Sequence, residues 1–334
     1  MLACRIWITP ALLLGLSASV HAQSSPSEFQ SDSIVVKIAA ELERRYVFAD
    51  VGRRLAEQLR TAVRAGAYRE VGSGQALAER LTDELRSASG DAHLAVEYSR
   101  VPLPAEDVAA DAEMEHRDRI RYYGPQLNFG FQSVEILPEN VGYLDLRVFA
   151  PLDWAGPSAT AAMTLLAHAD ALIVDLRHNS GGHGETGVWL ISYLMGDMPR
   201  PLSGGYSRER DATTQSWTLG YVPGPRFGAT KPVYVLTSRR TFSAAEAFAY
   251  DLQALERATI VGERTGGGAH PYENVKVDRH FVLGLPTARS VNPITGGNWQ
   301  GTGVEPDVIV PADSALVAAL RLAADRRAVK PDNR

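Results

Sequence analysis

The stretch YVLTSRRTFSAAEAFAYDLQ, Tyr234–Gln253, sets the frame for reading the whole chain. It opens on part of VYVLTS (233–238), a short apolar run rich in β-branched and aromatic residues, which Arg239 and Arg240 end. Such a run fits a strand buried on both faces of a sheet. From Ala244 onward the composition favours helix and contains no breaker. Ser243 stands at the corner between the two. Serine there is a good N-cap, because its oxygen accepts from first-turn N–H groups. A hydroxyl at such a corner is also a place for a nucleophile. The neighbouring segments have to decide between the two readings.

Working outward, the same alternation of strand and helix recurs. Upstream, FGFQSVEILPENVGYLDLRVF (129–149) reads as two strands around a Pro-Glu-Asn turn. An Ala/Leu-rich helix is expected over 156–168, a buried strand at ALIVDL (171–176) and a helix from Glu185 to Met195. Residues 197–231 read as a long polar loop. Downstream come a strand at ATIVG (258–262) and an amphipathic helix at SALVAALRLAADRR (314–327). Alternation of this kind predicts an α/β domain with a largely parallel sheet over 127–326, followed by a tail at 327–334.

The region before it has a different character. Leu55, Leu59 and Val63 recur at helical spacing, as do Leu77, Leu81 and Leu85. Gly66 and Gly72-Ser73-Gly74 separate the segments, and Asp50 is a candidate cap for the second helix. Residues 34–100 are therefore expected to form a small helical domain, ending in a strand at GDAHLAVEYS. Residues 101–126, with proline and mixed charge, read as a linker.

Composition narrows the function. The 334 residues carry a net charge of −5 and no clustered Lys/Arg stripe. That argues against nucleic acid as a partner, since phosphate binding needs a basic surface. The first 22 residues combine Arg5, an apolar run from Ile6 to Leu16 and the small-x-small ending Val20-His21-Ala22. They read as a signal peptide, with 23–33 a Ser/Gln-rich flexible segment. The expected product is exported, periplasmic or secreted, with no stable membrane span after cleavage. Cys4, the only cysteine, lies inside that leader, which excludes disulfides, thiolate metal sites and a cysteine nucleophile from the mature chain.

Two stretches carry candidate chemistry. DLRHNSGGHGETG (175–187) follows a buried strand, and its glycines can bring backbone N–H groups together. The spacings of a phosphate loop are absent. An oxyanion hole built on Gly181 and Gly182 and a plain tight turn are the two readings left open. Ser243 needs a base, and no lysine follows it until Lys276, so histidines are the candidates. His93 stands at the entrance to a strand and His270 follows the triple glycine Gly266–Gly268; periodicity alone does not choose between them. His178 and His183 lack a metalloprotease spacing and a completing carboxylate pair, so no metal and no cofactor are expected.

Taken together in this order, ALIVDLRHNSGGHG, VYVLTSRRTFSAAEAFAYDLQ, ATIVGERTGGGAHP and GTGVEPDVIV resemble the C-terminal processing (tail-specific) serine peptidases. NFGFQSVEILPENVGYLDLRVF and GDAHLAVEY resemble the branch related to tricorn protease cores and to interphotoreceptor retinoid-binding protein. The resemblance implies an α/β spiral core of the Clp protease and crotonase type with a small N-terminal helical domain. It implies that Ser243 is the nucleophile, and that the N–H groups of Ala244 and of the Gly181-Gly182 turn form the oxyanion hole. Many such peptidases use a Ser–Lys dyad, but the corresponding position here is near Gly268, so that dyad is absent. The tricorn-like branch uses a histidine onto which His93 falls, with His270 as the alternative base. The branch's orienting glutamate falls on Gln300 in NWQGTGV. The 101–126 segment is too short for a fused PDZ domain. The implied activity is hydrolysis of peptides or unfolded protein segments by an exported serine peptidase. The alternative is a non-catalytic binding protein for lipid or retinoid-type ligands on the same scaffold.

Overall fold

Ala171–Asp175 and Val233–Thr237 are buried at every residue, and they form the centre of the main sheet. The computed structural model describes residues 30–103 and 120–329. The leader read in residues 1–22, most of the 23–33 segment, the bulk of the 101–126 linker and the end of the 327–334 tail lie outside those residues.

In chain order the helical segment is α1 (Ser31–Arg45), α2 (Ala49–Arg64) and α3 (Gly74–Ser89), followed by β1 (Ala95–Tyr98). Ser73 caps α3 by accepting from Ala76 N at 3.1 Å, and Gly90 ends it in the left-handed conformation. Asp50 does not cap α2. The N-cap is Phe48, and Asp50 sits in the first turn, where a carboxylate favours the positive end of the helix.

The remaining elements are β2 (Phe131–Leu137), β3 (Val141–Leu146), α4 (Leu152–Leu166), β4 (Ala171–Asp175), α5 (Gly184–Leu194), β5 (Pro201–Ser207), β6 (Ala212–Trp217), β7 (Val233–Thr237), α6 (Ala244–Ala254), β8 (Thr259–Gly262), β9 (Tyr272–Lys276), β10 (Phe281–Pro286), β11 (Ala288–Val291), β12 (Val308–Ile309) and α7 (Ala315–Val329). The main sheet has the order β12-β8-β7-β4-β3-β2, parallel except for β2, which pairs antiparallel with β3. This is the mixed α/β architecture expected.

The apolar runs are continuous because both faces of the sheet are covered. Leu172, Val174, Val233 and Val235 face a core with α4, α5 and α6. Their neighbours Ile173, Tyr234 and Leu236 point the other way, onto Ala315, Ala319 and Ala323 of α7. The segment 197–231 is not a plain loop. It contains β5 and β6, which pair with each other, and β11 adds to β5. Polar alternation and glycine at Gly204 and Gly205 hide this hairpin from an apolar-run search.

The helical segment does not close its core alone. Phe281, Leu283 and Leu285 of β10 are buried among Ile38, Leu42, Leu77 and Leu81. β1 pairs antiparallel with β10, which also pairs with β9. Residues near position 93 are thereby bound to a strand nearly two hundred residues further along the chain.

Candidate active site

The site grows from two strands that end side by side. β4 and β7 run parallel in register, Asp175 against Leu236, so both chains leave the same edge of the sheet. That edge, beyond the carboxyl ends of adjacent parallel strands, is where α/β sheets place ligands. The two turns are tied together. Ser238 Oγ donates to Arg177 O at 2.6 Å, Thr241 Oγ1 to Leu176 O at 2.8 Å, and Phe242 N to Asn179 O at 3.2 Å. Ser243 then begins α6 with φ 52° and ψ −120°, a conformation L-residues rarely adopt. Such strain at a strand-to-helix corner persists only when the surroundings enforce it, and it projects the side chain outward, as in a nucleophile elbow.

The glycine turn presses against that corner. Gly181 and Gly182 have φ of 110° and 124°. A Cβ on Gly181 would lie 2.8 Å from Ser243 Cβ and 3.0 Å from Ala244 N, and one on Gly182 would lie 2.2 Å from Phe149 O. Both positions therefore demand glycine. Their N–H groups differ, however. Gly181 N donates to Asn179 Oδ1 at 2.8 Å, so its proton is already used. The N–H groups of Gly182 and Ala244 have no acceptor among the described residues. Asn179, fully buried and also donating to Leu146 O at 2.9 Å, is the organiser of this turn that sequence reasoning missed. An Asn two residues before a glycine pair is the signal that could have found it, since Asx side chains bond backbone N–H groups two residues on.

His93 and Ser243 line one cavity of about 450 Å³, together with Ser180, Gly181, Gly182, Gln132, Arg147, Phe242 and Tyr272. His93 is 7% exposed, and its ring lies between Phe242 at 4.8 Å and Tyr272 at 5.4 Å between centroids. Neither ring nitrogen has a hydrogen-bond partner among the described residues. Burial pushes the imidazole down to about 4, with His270 and Arg86 acting the same way and Asp91 opposing. His93 is therefore neutral near pH 7, the form a base requires. A Cβ on Gly268 would sit 2.6 Å from His93 Cε1. The nearest atoms to that Cβ are Phe242 Cζ and Cε2 at 2.2 and 2.5 Å, so the Phe242 and His93 rings together keep position 268 bare.

Glu246, on the first turn of α6, fastens the corner to the triple glycine. It is fully buried, and its two oxygens accept from four donors: Ser243 N at 2.8 Å, Thr265 Oγ1 at 2.5 Å, Gly267 N at 2.6 Å and Gly268 N at 2.8 Å. Burial pushes its carboxyl up, against the pull of those hydrogen bonds. Gln300 sits near this loop but not on the imidazole. Its Oε1 accepts from Ala269 N at 2.7 Å, and its Nε2 is buried without a partner. Glu305 is half exposed and paired with Arg264.

His270 does not line the cavity. Its Nδ1 is 2.7 Å from Asp91 Oδ2, and its ring meets Phe48 edge-on. The two candidate histidines are thus separated by the fold: His93 at the cavity wall, His270 behind it. No group of three or more metal-ligating side chains exists among the described residues.

Comparison with known proteins places this chain in a family. Residues 140–310 match the model of peptidase family S41, and residues 29–127 match that of the N-terminal domain of this family in eukaryotic IRBP. The carboxyl-terminal-processing protease of Synechocystis sp. is 30% identical over 129 residues, which is 39% of this chain and 28% of that protein. The chain therefore spans under a third of that curated relative. Among solved structures, a peptidase described as putative from Parabacteroides merdae aligns with a TM-score of 0.60 at 17% identity, over 87% of this chain and 96% of that one. The tricorn protease aligns with a TM-score of 0.55 at 13% identity, over 89% of this chain and 37% of that one. The structural likenesses establish the same fold, and the family model, matching just over half of the 334 residues, establishes the lineage: this chain belongs to peptidase family S41.

Proposed function

We propose that the protein is a serine peptidase that hydrolyses peptide bonds in peptides or unfolded protein segments. The observation that carries the reading is the cavity shared by the strained Ser243 and the unpartnered, neutral His93. Ser243 Oγ attacks the scissile carbonyl carbon while His93 takes the hydroxyl proton. The oxygen gains negative charge and is met by the N–H groups of Ala244 and Gly182, with the positive end of α6 behind them. His93 then gives the proton to the leaving amine, and water resolves the acyl-enzyme by the same route. In this reading Gly181 lets the turn approach Ser243, and Asn179 holds the turn, so that Gly182 presents the free donor. Gln300 acts one step further out, by fixing the backbone of the loop at Ala269 that packs behind His93.

The place of action in this proposal is outside the cytoplasm, periplasmic or secreted. The leader reading of residues 1–22 and the lack of any cysteine after Cys4 support it. No described helix is long and apolar enough to cross a membrane. A second reading, a lipid-type binding protein, draws on the IRBP-type match of residues 29–127. The cavity wall combines Gln132, Arg147 and Ser180 with the apolar faces of Leu127, Val148, Phe242 and Tyr272, a mixture that suits the polar backbone and apolar side chains of a peptide.

The deciding experiment compares the protein with Ser243→Ala on a peptide library and with a fluorophosphonate probe. Hydrolysis should fall by about 10³-fold or more, and labelling should vanish. Equal activity in both proteins sinks the assignment.

A further inference from the structure

A buried carboxylate–imidazole pair lies behind the His93 ring. Asp91 is 1% exposed and His270 4%. Asp91 Oδ2 accepts from Tyr46 OH at 3.0 Å and lies 2.7 Å from His270 Nδ1. Asp91 Oδ1 accepts from the backbone N–H of His93 at 3.1 Å. The same oxygen is 3.9 Å from His93 Nδ1, and both nitrogens of that ring are buried without partners. A buried carboxylate is costly unless it is paired and hydrogen-bonded, so three donors around one side chain mark a charge kept for a purpose.

The cavity geometry narrows that purpose. His93 has one nitrogen to spend on the Ser243 proton, and the other must hold its own proton against a stable acceptor. Gln300 is neutral, and its Oε1 is engaged with Ala269 N. Asp91 is the acidic side chain within ion-pair distance of the His93 ring. The ring contacts Phe242 and Tyr272 at tilted interplanar angles of 38° and 34°, and these contacts hold it beside Asp91.

We propose that Asp91 is the positioning carboxylate of His93, held in place by His270 and Tyr46, and that it supplies the negative charge that Gln300 cannot. The proposal rests on His93 being the base, and it gives that base a partner drawn from its own loop. In the acylation step Asp91 keeps its charge. Nδ1–H of His93 turns to Asp91 Oδ1, Nε2 takes the proton of Ser243 Oγ, and the resulting imidazolium sits beside the carboxylate. No proton moves to Asp91. The other groups acting on the ring are Arg86 from α3 and His270, both disfavouring its charge, with Phe242 and Tyr272 tilted against it. Burial works to raise the Asp91 carboxyl, but the His270 hydrogen bond and charge, with the His93 N–H and Tyr46, outweigh it and hold it low.

The test is Asp91→Asn, which keeps the shape and removes the charge. His93 is followed by NMR titration in protein made with isotope-labelled histidine. An opposite charge within about 4–6 Å moves a titration by roughly 1–3 units, so the His93 midpoint should fall by at least about one pH unit. The acid limb of kcat/KM should move down with it, and kcat should drop about tenfold or more with KM nearly unchanged. Asp91→Glu should restore most of the midpoint. An unmoved midpoint in folded Asp91→Asn overturns the proposal, whatever the rate. Should that variant not fold, the unaltered protein labelled at Ser243 by a fluorophosphonate gives the second readout. A strongly deshielded His93 Nδ1 proton supports the proposal, and its absence overturns it. His93→Ala separates the two ideas: retained activity would sink the base assignment, while the free-protein titration still reports on the pairing.

Discussion

Ser243 carries two tasks that ordinarily compete. As the residue before α6 it donates its backbone N–H to Glu246, and as the corner residue it is forced to φ 52°. A serine at this place is legible in the sequence as cap or nucleophile; the strain that separates the two is visible only in the fold. His93 has the opposite history. Its type and position are readable, yet its burial comes from Phe242, Tyr272 and the bare Gly268, which are far away in sequence. That burial has a thermodynamic consequence. The His93 imidazole stands at about 4 in the folded protein against about 6.5 unfolded, so the unfolded chain binds the extra proton first as pH falls. Stability is complete above pH 6.5 and declines between about 6.5 and 4, by roughly 3 kcal/mol from this group alone. His93→Gln should lose that share of the pH dependence, and denaturant melts at pH 7 and pH 4.5 measure it. An identical slope in both proteins would contradict the buried neutral imidazole.

At the scale of elements, the corner depends on a helix reaching back to the glycine loop. Glu246 of α6 gathers Ser243 N, Thr265 Oγ1, Gly267 N and Gly268 N onto one carboxylate. Glu246→Gln replaces one oxygen with a donor that faces N–H groups. Leaving buried donors unsatisfied costs about 1–3 kcal/mol each. The expected loss is therefore roughly 2–4 kcal/mol in urea unfolding, with the rate reduced more than substrate affinity. A variant as stable and as active as the parent would show that the loop is held otherwise. The amphipathic spacing of α2 and α3 and the buried runs of β4, β7 and β8 could be read directly, because their periodicity is dictated by local sequence. The β5–β6 hairpin could not, since its exposed strands carry no apolar signature. The clip made by Glu246 was likewise hidden: a Glu three residues after a Ser reads as a capping box, and its second set of partners lies some twenty residues on.

The whole molecule is knitted by β10. Leu283 is fully buried between the helices of the N-terminal segment, and its strand pairs β1 beside His93. Leu283→Ala should cost about 2–5 kcal/mol, the range for such core truncations. Because β1 begins two residues after His93 and anchors it beside the cavity, the same change should lower activity although it touches no reacting atom. Loss of stability with fully retained kcat would argue that the helical segment and the site are uncoupled. The sequence by itself determined the buried parallel strands, the serine corner, the glycine turn and the lack of a lysine partner. Each of these is encoded in residues adjacent along the chain, where periodicity and backbone sterics act. Only the tertiary structure decided which histidine reaches the cavity, which glycine N–H is free, and which carboxylate stands behind the imidazole. Those are set by contacts between positions 91–93, 179–182, 243–246 and 268–270, and no local rule reports a distance between segments brought together by a common core.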